Sequence, residues 1–187
     1  MTEPRFRAPT LEEMTPAQRA LAAALTASPR GSLRGPYLAL IHSPELADRM
    51  RHLGDFIRFE GRLPPRLKEI LILATARHWS VDYMFAVHRD LAISGGVDPD
   101  AVAAIAAGRA PAGLSAEDEA AYRMAQELLR TQRVSDAAFA AARAVLGEPG
   151  VIELTAFIGY YTALAMILNT ARIPPPPAAA LLPEVDS

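Results

Sequence analysis

The stretch Arg66-Leu67-Lys68-Glu69-Ile70-Leu71-Ile72-Leu73-Ala74-Thr75-Ala76-Arg77-His78-Trp79 decides the fold. From Ile70 to Ala76 it is apolar on every side of a helical wheel, which marks a helix enclosed by others. Two prolines, Pro64 and Pro65, stand at its start, where a missing N–H costs nothing. β-Branched residues are sparse elsewhere and alanine fills most spacer positions, so strand signals are missing.

Outward from this segment the punctuation stays helical. Thr15-Pro16-Ala17-Gln18 offers an N-cap, a proline at the first helical position and the glutamine of a capping box. Similar starts stand at Ser43-Pro44-Glu45, Asp98-Pro99, Ser115-Ala116-Glu117-Asp118 and Ser135-Asp136, and stops at Gly61, Gly95-Gly96, Gly108 and Gly147. The pattern predicts an all-α bundle of about eight helices, near 16–27, 44–60, 65–79, 80–94, 99–107, 116–131, 136–146 and 150–171. A faint internal echo pairs Glu69-Ile70-Leu71-Ile72-Leu73 with Glu153-Leu154-Thr155-Ala156-Phe157, a weak pseudo-repeat. Residues 28–36 read as a Gly/Pro loop, with Arg30 and Arg34 most simply solvated. The organisation is then an N-terminal extension (1–14), one helical domain (15–173) and a Pro-rich tail (174–187) that either reaches across a neighbour or is disordered.

Composition removes whole classes of function. The chain has 187 residues, 51% hydrophobic and 21% charged, enough for one domain with a real core. A net charge of −2 gives no footprint for nucleic acid or an anionic membrane. Cysteine is absent, which excludes disulfides, thiolate metal sites and thiol redox cycles. The greasiest segment, Val151 to Leu168, is interrupted by Glu153, Thr155, Gly159, Tyr160, Tyr161 and Thr162, and reads as a buried helix rather than a membrane span. The opening residues Met1-Thr2-Glu3-Pro4-Arg5 do not form an export signal, so the expected location is cytoplasmic.

Imidazole chemistry falls to His42, His52, His78 and His88, all in the first half. On the helix from Ser80, Val81, Met84 and His88 share one face, and Asp82, Phe85 and Arg89 form the next stripe. Glu69 sits at the edge of the enclosed run, where a carboxylate must be paired, hydrogen-bonded or protonated. It is either a structural partner of Arg66 one turn earlier or a proton carrier. His88 is either a satisfied core residue or the proton-transfer group. His78 at a helix end reads as a partner for terminal carbonyls, Trp79 as core or interface, and His42 and His52 as structural or exposed. Tyr160 and Tyr161 sit in a greasy helix, where at least one hydroxyl requires a partner.

The block Leu63-Pro64-Pro65-Arg66-Leu67-Lys68-Glu69, followed by Ala76-Arg77-His78-Trp79, Tyr83 and His88, resembles the carboxymuconolactone decarboxylase family and its AhpD-like relatives. Gly35-Pro36 with His42-Ser43-Pro44-Glu45-Leu46, and Glu153-Leu154 with Gly159-Tyr160-Tyr161-Thr162 and Leu168-Asn169, extend the similarity over most of residues 35–173. In the family's hydroperoxidase branch a Glu, a CxxC pair and a His nineteen positions after the Glu form the site. Glu69 and His88 keep that separation, while Val81 and Met84 fall where the cysteines would stand. Thiol peroxidase chemistry is therefore excluded. The decarboxylase branch commonly shows Tyr-Glu-Trp where this chain reads Tyr83-Met84-Phe85.

The resemblance implies an AhpD-like bundle and a cofactor-independent decarboxylase or isomerase acting on a small carboxylated lactone or aromatic-derived acid. In that reading His88 and Glu69 are catalytic. Arg77 or Arg34 anchors the carboxylate, and Met84, Phe85 and Trp79, with Tyr160, wall the pocket. No metal is expected, because the histidines share no close-spaced ligand motif with a carboxylate. The expected partners are a small carboxylate substrate and further copies of the chain, as a trimer or hexamer. Two alternatives stay open: a non-catalytic ligand-binding member, and a cofactor-free oxygenase or cyclase of a biosynthetic pathway.

Overall fold

A computed structural model describes residues 3–29 and 31–185; Arg30 and the outermost two residues of the extension and of the tail lie outside the described residues. Eight α-helices and one π-helical turn make up the fold, with no strand among the described residues. They are α1 (Pro16–Ala27), α2 (Tyr37–Leu40), α3 (Pro44–Asp55), the π turn (Phe56–Glu60), α4 (Pro65–His78), α5 (Asp82–Ser94), α6 (Pro99–Ala106), α7 (Ala116–Thr131) and α8 (Asp136–Ala171).

The expected caps position these helices. Thr15 and Gln18 close a reciprocal capping box on α1. The hydroxyls of Ser115 and Ser135 accept the third backbone N–H of α7 and α8. Prolines open α1, α3, α4 and α6.

At the centre lies α4, packed against α5, α6, α7 and α8. Every residue from Leu67 to Ala76 is buried, as the all-round apolar pattern requires. Each Leu or Ile enclosed here contributes on the order of 1.5–3 kcal/mol. Polar side chains in this run have partners. Thr75 Oγ1 donates to the Leu71 carbonyl at 2.8 Å, and Lys68 Nζ donates to the carbonyls of Arg58 (2.9 Å) and Gly61 (3.2 Å).

Three differences from the expected pattern have physical causes. The helix expected over 44–60 is α-helical only to Asp55 and then widens into the π turn, closed by Gly61 N–H on the Phe56 carbonyl at 2.7 Å. The helices expected at 136–146 and 150–171 abut as α8, which breaks at Gly147, whose φ of 67° and ψ of 174° are not helical. Pro149 then serves as a helix start. The described part of the tail lies against its own bundle: Leu182 N–H donates to Asp82 Oδ1 at 3.0 Å, and Arg77 donates to the Pro183 carbonyl at 2.8 Å. The extension is tied down too, with Arg5 N–H on the Ala171 carbonyl at 2.9 Å.

Helix α8 is long and apolar enough to cross a membrane, alone among the described residues, but half of its most apolar window is buried inside the bundle. Leu154, Phe157 and Ala165 are fully enclosed. It reads as a core helix.

Candidate active site

Glu69 and His88 face each other across the α4–α5 contact. His88 Nδ1 lies 2.7 Å from Glu69 Oε2. An ionised carboxylate is only an acceptor, so Nδ1 carries the proton, and in the neutral ring Nε2 keeps the lone pair. The other carboxylate oxygen, Oε1, accepts a 2.8 Å bond from Arg58, whose guanidinium also donates to Tyr161 Oη at 3.1 Å. Tyr161 stands edge-on to the His88 ring at 6.0 Å and edge-on to Tyr160 at 5.4 Å. Three helices and the π turn thus converge on one network.

The π turn supplies Arg58, a residue that the sequence reading missed. A continuous α-helix from Pro44 gives it no special facing; the widened turn directs it at α4 and α8. Lys68 fixes the turn by bonding the carbonyls of Arg58 and of Gly61, the residue that closes it.

Electrostatics follow from burial. The His88 imidazole is held below its ordinary pKa chiefly by burial, which outweighs the raising influence of Glu69; the charges of Arg58 and Arg34 act in the same direction as burial. For Glu69, burial would raise the pKa but is outweighed by the His88 hydrogen bond and by the charges of His88 and Arg58, so its carboxyl lies below the usual range. The network therefore rests near neutral pH as carboxylate, guanidinium and neutral imidazole.

His88 forms part of the wall of a cavity of about 300 Å³. Arg34, Arg58, Tyr83, Tyr161 and Tyr37 are polar residues of the same wall, and Phe59, Val87, Leu91 and Leu164 are apolar ones. Glu69 is not in the wall but behind His88. Gly35 admits Tyr83: it adopts a φ of +59°, and a methyl group there would fall 2.8 Å from the Tyr83 ring and hydroxyl. The Tyr83 phenol is raised by burial, with the Arg34 charge partly offsetting this, and it stays a donor.

Other expected site residues lie elsewhere. Arg77 is eight positions along α4 from Glu69, about 12 Å of helix. It is engaged with the Ala106 carbonyl, the Pro183 carbonyl and Ser80 Oγ. Met84 and Phe85 are each 3% exposed in the core, because the cavity covers the Tyr83–Val87–Leu91 stripe of α5 while the adjoining faces pack on α4 and α6. Trp79 ends α4 away from the cavity; its carbonyl accepts from Asn169 at 2.8 Å and its Nε1 is buried without a hydrogen-bond partner among the described residues. Tyr160 stands behind Tyr161, outside the wall. Arg66 does not pair with Glu69 but with Asp118 on α7, which Ser115 also bonds. A wider cleft, about 510 Å³, opens beside Arg66 and Leu114, yet its guanidinium is already engaged and no histidine lines it.

Of the remaining histidines, His42 contacts the Arg7 carbonyl (3.1 Å), His52 the Asp48 carbonyl (2.9 Å), and His78 meets Trp79 edge-on. No group of three His, Asp or Glu residues suited to a metal ion occurs among the described residues.

Residues 44–127 match the model of the carboxymuconolactone decarboxylase family, a span that includes Glu69, His88 and Arg58. The fold is that of AhpD-like proteins. An AhpD-core, peroxidase-related protein from Ralstonia eutropha superposes with a TM-score of 0.78 at 17% identity, over 95% of this chain and 94% of that one. A peroxidase-related protein from Silicibacter sp. gives a TM-score of 0.74 at 13% identity, over 95% and 96%. The debrominase Bmp8, as a cysteine-to-alanine variant in complex with 2,3,4-tribromopyrrole, gives a TM-score of 0.69 at 16% identity, over 95% and 94%. Comparison with curated proteins finds no match. This cysteine-free chain thus has the AhpD-like fold and, over residues 44–127, a segment that matches the carboxymuconolactone decarboxylase family model.

Proposed function

We propose that this protein is a cofactor-independent proton-transfer enzyme that shifts a double bond in a small unsaturated carboxylate, with decarboxylation of a lactone acid as the second reading. One observation carries the proposal. His88 has Nδ1 fixed on Glu69, leaving Nε2 as the ring nitrogen available to a ligand in the cavity. A general base needs that tautomer and that exposure.

In the isomerase reading, Nε2 takes a proton from a carbon adjacent to the conjugated system, and the C–H electron pair delocalises as a dienolate. The same imidazolium returns the proton to the far carbon of that system, so atoms and charge balance without a further reactant. Glu69 stabilises the transient imidazolium, and the cationic wall stabilises the dienolate. The apolar wall residues exclude water. Decarboxylation instead requires the imidazolium at the outset: the C–C pair stays on carbon, CO2 leaves and the proton is delivered. The family model favours that reading, while the neutral resting state of His88 favours abstraction first.

The neighbour described as a debrominase in complex with a tribromopyrrole supports a small-ring occupant for this scaffold. It lends no mechanism, since this chain has no cysteine. Exposed Leu53, Phe56, Phe59 and Ile152 support assembly with further copies, as a trimer or hexamer, which sedimentation tests.

The test is incubation in D2O with a panel of β,γ-unsaturated acids and lactone acids, read by NMR for deuterium incorporation, double-bond migration and CO2 release. Activity that vanishes in His88→Ala with the fold intact is the expected result. Absence of all three signals across the panel overturns the proposal, as does full activity in His88→Ala.

A further inference from the structure

The charge balance of the cavity identifies what it can hold. Two described cations line it, Arg34 and Arg58, and no described Asp or Glu does. Arg58 is already neutralised by Glu69 at 2.8 Å and is further bonded to Tyr161. Arg34 is exposed at the wall, and its guanidinium makes no hydrogen bond or ion pair among the described residues. A neutral His88 adds nothing to the balance. Among the described residues of the wall, one unit of positive charge is therefore left for a ligand.

The location of that charge matters as much as its size. Arg34 precedes Gly35, and the Tyr83 ring and hydroxyl rest against Gly35 so closely that a methyl group there would overlap them. The phenol and the guanidinium are thus neighbours, two donors with no carboxylate set against them among the described residues of the wall. A carboxylate is the acceptor group that such a pair recognises. The described lining also includes the apolar residues Pro36, Val87, Leu91 and Leu164. A second carboxylate would meet either that apolar surface or a guanidinium already paired with Glu69, and would stay uncompensated. The volume, about 300 Å³, stands at the lower end for ligand sites and fits a ring-sized body.

We propose that this cavity selects a monocarboxylate with an uncharged, ring-sized body, its carboxylate held by Arg34 and Tyr83, and that it discriminates against dicarboxylates. The inference rests on the proton-transfer reading for the purpose of the ligand, but its test measures binding alone.

Benzoate, phthalate and benzamide differ in charge on a common ring, and calorimetric titration of the full-length protein at pH 7.5 compares them. Benzoate is expected to bind about ten-fold more tightly than either of the others. Arg34→Met should remove the preference for benzoate over benzamide. Tyr83→Phe should weaken benzoate by about three-fold to ten-fold. Phthalate binding as tightly as benzoate overturns the proposal; so does unchanged benzoate affinity in Arg34→Met, and so does a lack of benzoate binding at millimolar concentration. If benzoate binds as expected while no unsaturated acid exchanges deuterium, the proton-transfer reading fails and the charge selectivity stands.

Discussion

The guanidinium of Arg58 donates a 2.8 Å hydrogen bond to Glu69 Oε1, so the carboxylate that orients His88 is itself held from its other side. Neither oxygen is left to rotate. In the proposed mechanism the carboxylate acts on the imidazole from behind the cavity wall, so Glu69 is a positioning residue for His88 and Arg58 holds Glu69 in place.

Replacing the carboxylate by its amide separates orientation from charge. Glu69→Gln keeps the shape but can present an N–H to Nδ1, which selects the wrong tautomer. The proton-transfer rate is expected to fall by about 10²–10⁴-fold. The His88 pKa should drop further, because the raising influence of Glu69 is lost. Rate measurements and the histidine ring NMR titration read the two effects independently.

Arg58→Met leaves Glu69 buried with one partner fewer. Breaking such a pair is expected to cost about 3–5 kcal/mol in urea denaturation. Adding Glu69→Leu to this variant should recover part of the loss, since it removes the uncompensated charge.

Gly35→Ala places a methyl group against Tyr83 and forces an alanine into positive φ. The expected loss is about 1–2 kcal/mol of stability from the backbone alone. A further rise in KM should follow from the displaced phenol. Combining it with Tyr83→Ala should relieve the steric part and leave the backbone part, as thermal melts of the single and double variants would show.

The rate should rise with pH through a pKa below 6.5 and then stay level, because Nε2 must be unprotonated to take a proton. A profile that instead falls across this range identifies the imidazolium as the resting catalyst and selects decarboxylation.

Stability has its own pH signature. The folded pKa of His88 lies below 6.5, so as pH falls under that value the unfolded chain takes up the proton first and the native state loses ground. Glu69 lies below 4.5, so its contribution holds above that value and is lost as pH falls through the lower, folded one. Both move in the same direction in successive windows. Thermal melts should show a decline starting near pH 6.5, and His88→Gln should flatten its first part.

Much of the bundle could be read from residues whose effect is local. Thr15 and Gln18 form the capping box that their spacing predicts, and the prolines open helices where a missing donor is harmless. The all-round apolar run of α4 announced its own enclosure. Glu69 and His88 were legible as a pair because their separation resembles a family pattern. The partner of Glu69 was not. Arg66 one turn away looked equally suitable, yet it turns to Asp118 on α7, fifty-two positions distant.

What the sequence by itself determined is the lack of any thiol and the helical frame, because composition and a capping box depend only on the residues present and their near neighbours. Only the tertiary structure decided which cation faces the carboxylate and which side chains wall the cavity. Arg58 reaches Glu69 because a π turn changes its facing, and Arg77 misses it because eight residues of rigid helix carry it to the other end. Those outcomes follow from where whole helices cross, a quantity that short-range spacing does not contain.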